Sequence, residues 1–135
     1  MDITKYTDYF HDGDLFDIRH KDDYLELYME SCEIPYEDYN IFPKDIILSK
    51  EKTILGKLKI SKVKNIKVNN LELEGVLKKI YDVLEILDFE LKEKNVFLFL
   101  ECRNYLPNVP SSNVSKIEID AESIKWENIP NLTKD

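Results

Sequence analysis

The chain has 135 residues, 43% of them apolar, which fits one domain with a core large enough to fold without metals or disulfides. Its net charge of −8 argues against nucleic acid or an anionic membrane surface as a partner, since both are polyanions. No run of about 18 apolar residues is present, and the start of the chain lacks a basic stretch followed by an apolar one. The expectation is a cytoplasmic protein with no membrane contact.

The charge is uneven. Residues 1–42 hold twelve acids and three bases, a net of −9. Residues 43–70 hold two acids and eight bases, and residues 71–135 hold thirteen acids and eight bases. Cys32 and Cys102 are too few and too far apart for a disulfide framework or a zinc pattern, so they read as free thiols.

In chain order, the opening segment 3–9 fits a short helical turn. Asp12-Gly13 then supplies a bend. Phe16, Ile18 and His20 alternate with Asp17, Arg19 and Lys21, the period of a strand with one buried face. After the turn Lys21-Asp22-Asp23, residues 24–32 alternate again, with Leu25, Leu27 and Met29 on one face. Strand, tight polar turn and strand make a hairpin. Residues 33–44 read as a loop.

Residues 45–48, the turn 49–52 and residues 53–60 predict a second hairpin, followed by a short strand at 65–68. Leu73, Val76, Leu77, Ile80, Val83 and Leu84 recur at spacings of three and four, which predicts one short helix near 74–81. Alternation resumes at Leu87, Phe89 and Leu91, turns at 93–95 and returns through 96–102. Two more short strands are expected at 116–120 and 123–127, and the polar tail from Pro130 is expected to fray.

Two blocks repeat. Residues 16–32 lie over 87–103 without a gap, so that Asp17 meets Asp88, Leu27 meets Leu98 and Glu30 meets Glu101. Residues 57–70 lie over 116–128 with one gap, so that Lys57 meets Lys116 and Ile60 meets Ile119. Turn lengths and block order agree as well, which points to a tandem duplication covering 10–70 and 81–129. The expected fold is mainly β with a minor helical part. Its antiparallel hairpins would form a sandwich or one strongly bent sheet.

The copies differ where the first has Glu26 and the second Phe97. The stretch 96–100 is apolar on both faces, as in a central strand covered on both sides or one whose outer face meets a partner. Central burial is the first expectation. An interface through Phe97 and Phe99, in a structural homo-oligomer, is the other.

Three candidate sites follow. His11, Asp12 and Asp14 place a histidine beside carboxylates, a pattern suited to acid–base or metal chemistry. Adjacent residues on a strand point apart, so the bland reading is a turn. His20 shares a face with Phe16 and Ile18 and reads as a core-flanking residue. The acids near the first hairpin are interleaved with tyrosines: Tyr24, Glu26, Tyr28, Tyr36, Glu37, Asp38 and Tyr39. Aromatic anchors ringed by acid suit a basic protein partner. The lysines at 57, 59, 62, 64 and 67 lack interleaved aromatics and read as edge protection or solubility. No nucleophile elbow, phosphate-binding loop or dinucleotide fingerprint occurs, so no catalytic residue, cofactor or metal is assigned.

At Phe10-His11-Asp12-Gly13 the chain resembles small bacterial proteins that open with F-H-D-G or F-H-D-A, some of them immunity proteins of polymorphic toxin systems. The resemblance implies a toxin-neutralising binder without catalysis, in which His11 and Asp12 match the family's opening pair. The second copy has Tyr81-Asp82-Val83-Leu84 at that place, so the motif is not repeated.

Overall fold

The computed structural model describes residues 2–134. A 3-10 helix, Thr4–Phe10, leads into seven strands: β1 (Asp14–Lys21), β2 (Tyr24–Glu30), β3 (Leu55–Val68), β4 (Leu71–Glu72), β5 (Val83–Lys92), β6 (Asn95–Asn104) and β7 (Ser111–Asn128). All pairings are antiparallel. The order β2-β1-β5-β6-β7-β3-β4 would leave β2 at an edge, but β2 also pairs with β3. The sheet therefore bends until it closes on itself as a six-stranded ring, with β4 appended to β3. Alternation explains the inside. Leu25, Leu27, Met29, Leu58, Ile60, Ile86, Phe89, Val96, Leu98 and Ile119 are fully buried, and their sequence neighbours face out.

Each half is a three-stranded meander. Leu25 opposes Ile60 in the first, and the aligned Val96 opposes Ile119 in the second. Each half carries a bulge at the same aligned residue, Phe16 and Leu87. In each, the aspartate after the bulge accepts a hydrogen bond from the next backbone N–H: Asp17 from Ile18 and Asp88 from Phe89, both at 2.9 Å. The halves meet along two seams. β3 and β7 pair over their length, whereas β1 and β5 meet at Asp14 and Glu85. Hydrogen bonds from Asp12 N–H to Ile86 O (2.8 Å) and from Ile86 N–H to Gly13 O (2.9 Å) complete that narrow seam. A Cβ on Gly13 would lie 2.3 Å from Glu30 O, so this approach requires glycine.

Two segments fill the ends of the narrow seam. The 3-10 helix lies along β5 and plants Phe10 edge-on against Phe89 (5.2 Å) and Trp126 (5.7 Å). On the other side, residues 73–82 cross as an irregular strap beside β1.

That strap corrects the predicted helix at 74–81. Gly75 has φ +88°, the left-handed region that ends helices, and the Leu77 N–H is taken by His20 Nδ1 at 2.8 Å. The three-and-four spacing instead marks which side chains reach the barrel. Helical residues lie at Thr4–Phe10, as the opening segment suggested, and at Tyr36–Asp38.

Three further expectations change. The strands expected at 53–60 and 65–68 are one strand, β3, and those at 116–120 and 123–127 are one strand, β7. A register shift between Val63 and Asn65, beside Lys62 at φ 53°, interrupts the alternation between Ile60 and Ile66 and makes β3 read as two strands. Residues 45–48 form no strand, because β3 already pairs with β2 and β7 on its two sides. The turn at 49–52 does form, closed by Ser49 N–H to Thr53 O at 2.9 Å. The tail is anchored rather than loose: Ile129 N–H donates to Leu55 O, and Lys134 Nζ reaches Glu30 (2.7 Å) and Asp14 (3.3 Å).

Candidate protein-binding face

The acidic, tyrosine-bearing candidate divides into two places. Tyr24 begins β2, while Tyr36, Glu37, Asp38 and Tyr39 follow its far end, with a strand about 20 Å long between them. They do not form one patch.

The β2 part is closed upon itself on the outer face of the ring. Tyr28 is only 5% exposed. The Arg19 guanidinium lies 4.6 Å from its ring centre, and Phe16 and Lys57 pack nearby. Glu26 accepts hydrogen bonds from Tyr24 OH (3.0 Å) and Tyr28 OH (3.1 Å) and pairs with Lys57 Nζ at 2.6 Å. Burial pushes the Glu26 carboxyl up, but hydrogen bonds from Lys57, Tyr24 and Tyr28 outweigh it and hold the group below the usual glutamate value. Donor, acceptor and ring faces are all used, and little is left for a partner.

The loop part is half open. Tyr36 is 83% exposed and stacks edge-on against Tyr39 at 5.3 Å, with Lys52 over the Tyr39 ring. Asp38 is held by Tyr9 OH at 2.7 Å, and this bond to a carboxylate drives the Tyr9 phenol up to about 12. Glu37 is exposed and makes no ion pair among the described residues.

His11, Asp12 and Asp14 serve the bend. Asp12 adopts φ 67°, and Gly13 N–H donates to Phe10 O to close the turn into β1. His11 is exposed, its Nδ1 2.5 Å from Leu87 O and its Nε2 3.7 Å from Asp12. The Leu87 carbonyl and then Asp12 raise its pKa. Asp14 turns to Lys134. Among the described residues no group of three His, Cys, Asp or Glu side chains is placed to hold a metal ion. His20 flanks the core half-buried, as expected, and its ring also holds the strap through Leu77.

Phe97 and Phe99 stand apart. Strand β6 is central, between β5 and β7, but among the described residues no element covers its outer face. The expectation of burial on both sides fails there: Phe99 is 37% exposed and Phe97 half-buried. The cross-strand row through Phe97 is Glu90, Phe97, Glu118 and Lys67. The next is Asp88, Phe99 and Lys116. The row through Phe97 walls a concave hollow of about 400 Å³, with Phe97 lining it between Glu90 and Glu118 and Lys67 and Lys92 at its border. Glu118 has Lys116 at 3.5 Å; Glu90 makes no ion pair among the described residues.

The aligned row in the first half is Arg19, Glu26 and Lys59. There a carboxylate lies between two cations, where the second half has an aromatic ring between two carboxylates. The exchange of Arg19 for Glu90 and Lys59 for Glu118 lies in the aligned blocks and was the signal for these residues. It emerges only once the faces are known. Comparison with known protein families, with curated proteins and with solved structures finds no match to the chain. No helix among the described residues is long and apolar enough to cross a membrane.

Proposed function

We propose that the chain is a non-enzymatic protein-binding module that seats a basic segment of another protein on the outer face of β5, β6 and β7. The observation behind this reading is the row Glu90–Phe97–Glu118, an uncovered ring between two carboxylates on a central strand. An arginine or lysine over the Phe97 ring gains a cation–π contact, and the flanking carboxylates add charge-assisted hydrogen bonds. Phe99 supplies apolar area next to it. The net charge of −8 steers a basic partner toward the protein before contact.

The resemblance at residues 10–13 to immunity proteins fits a binder of this kind, with a basic toxin as the partner. Two free thiols fit a reducing compartment such as the cytoplasm. Coincident registers, bulges and aspartate caps support residues 10–70 and 81–129 as duplicated halves of one domain. In that duplication the second half's outer face has been freed for binding.

The test is an amide-shift titration of labelled protein with a short arginine–serine peptide. Shifts should concentrate on β5–β7 around Phe97 and Phe99. Reversing Glu90 and Glu118 to lysine should weaken binding at least tenfold. Shifts confined to 33–41 would move the site to the Tyr36 loop. Self-association of the protein alone, abolished by Phe99→Glu, would instead make this face a homo-oligomer contact.

A further inference from the structure

The strap 73–82 does not sit flush on the barrel. Beneath it lies a cavity of about 250 Å³, walled by Ile18, Leu84, Leu100 and Ile117 and roofed by Val76 and Ile80. A hollow of about 150 Å³ lined by aliphatic groups is enough to take a benzene ring. This one is larger and almost wholly apolar. Val76 and Ile80 line it yet remain 42% and 73% exposed, so the roof has no apolar partner of its own.

The strap's tethers are few. Leu73 N–H donates to Ile66 O and Leu77 N–H to His20 Nδ1. The remaining bonds gather at its far end, where Asp82 N–H donates to Asn104 Oδ1, the Asp82 carboxylate accepts from Tyr105 N–H and Asn108 Nδ2, and Tyr81 OH accepts from Asn113 Nδ2. Gly75, at φ +88° with open space around it, is a point where the strap can pivot. The rim is mainly cationic, and the one carboxylate that lines it among the described residues, Glu26, is already paired with Lys57. Lys78 borders both this cavity and an adjoining hollow that it shares with Arg19 and Lys21. Lys21 and Lys78 make no ion pair among the described residues. Unpaired cations beside an apolar hole are conspicuous in a chain of net charge −8.

We propose that the cavity beneath the strap binds a small aliphatic carboxylate, with its chain among Ile18, Leu100 and Ile117 and its carboxylate at Lys21 and Lys78. Scaled from the benzene-sized hollow, the volume accommodates up to roughly ten carbons, so an eight-carbon chain fits within it. The strap closes over that chain and buries Val76 and Ile80. This site is separate from the β5–β7 outer face and does not depend on it.

Sodium octanoate is the probe, with octan-1-ol and acetate as controls, followed by methyl and amide shifts and by calorimetry. Octanoate is expected to saturate with shifts at Ile18, Leu77, Leu100 and Ile117, whereas acetate leaves them unmoved. Reversing the exposed Lys21 and Lys78 to glutamate should weaken octanoate at least fivefold and leave octan-1-ol unchanged. Ser115→Leu, which fills the cavity from its wall, should abolish both. The absence of saturable shifts at these residues overturns the proposal. Equal octanoate affinity in the charge-reversed protein also overturns it, and that variant changes only exposed side chains should Ser115→Leu fail to fold. Wild-type octanoate affinity in a folded Ser115→Leu protein overturns it as well.

Discussion

The two halves of the barrel share a skeleton and differ in what covers it. In the first, the outer face of β1–β3 is sealed by Arg19 on Tyr28, by Lys57 on Glu26 and by Phe16 beneath Lys134. In the second, the corresponding positions hold Glu90, Phe99, Lys116, Phe97 and Leu87, and the face stays open. The seam fillers diverge in the same way. Before β1 a 3-10 helix buries Phe10, whereas before β5 the strap buries Leu77 but leaves Val76 and Ile80 exposed. A repeated fold needs only its inward residues and turns to stay constant. Its outward rows are free to differ, and here the second half leaves its outer row uncovered.

The seam fillers yield the largest predicted contrast. Phe10 is fully buried against Phe89 and Trp126, while the aligned Tyr81 is half-buried. Phe10→Ala should cost about 4 kcal/mol, in the range for deleting a buried aromatic, and Tyr81→Ala about 1 kcal/mol. Equal losses in urea unfolding would show that the strap is as integral to the core as the helix.

The sealed and open faces come next. Glu26→Gln leaves Lys57 and two tyrosine hydroxyls short of their acceptor, for a loss of about 2 kcal/mol. Phe97→Ser, on the open face, should cost under about 1 kcal/mol while weakening a basic peptide. The pH dependence has a definite sign. Glu26 is held below its ordinary value in the folded protein, so its contribution is present above that ordinary value. It is lost as pH falls through the lower folded value, and the Gln variant should show a shallower acid limb. A similar acid limb in both proteins would separate the network from stability.

Much of this was legible in the residues. Period-2 alternation located the hairpins β1–β2 and β5–β6, though not the one expected at 45–60, and the gapless overlay of 16–32 on 87–103 anticipated their matched registers. Closure of the ring was not legible. It depends on β2 turning to β3 and on a seam whose only ladder pair is Asp14 with Glu85, and neither leaves a periodic trace. A bulge hid the length of β3, because the extra residue breaks the alternation between Ile60 and Ile66. The candidate face was half legible. Phe97 and Phe99 stood out as apolar on the wrong side. That Tyr28 would be buried outside the core depends on Arg19 and Phe16 from β1 and Lys57 from β3 converging on it, which spacing within one strand does not reveal.

A smaller and symmetric effect is expected at the bulges. Asp17 and Asp88 each cap the N–H of the following residue at the same distance. Alanine at either should cost about 1 kcal/mol, and the same amount in each half. Unequal losses would mean that the bulge is structural in one half and incidental in the other.

The smallest predicted effect bears most directly on how the two halves differ. Glu30, Asp14, Glu85 and Glu101 form one row across β2, β1, β5 and β6, and the first pair is aligned with the second. Arg103, from β6 itself, bridges Glu85 and Glu101, whereas Lys134, from the tail, bridges Asp14 and Glu30. One electrostatic problem has thus been solved by cations from unrelated places in the chain. Lys134→Met should cost about 0.5 kcal/mol, because its ammonium is partly in water and screened. The loss should shrink further in 0.5 M salt. Arg103 is less exposed and grips both carboxylates from within the sheet, so Arg103→Met should cost more and respond less to salt. Matching losses and salt slopes would place the two bridges in equivalent surroundings. Distinct slopes would show that the row is held rigidly in the open half and loosely in the sealed one.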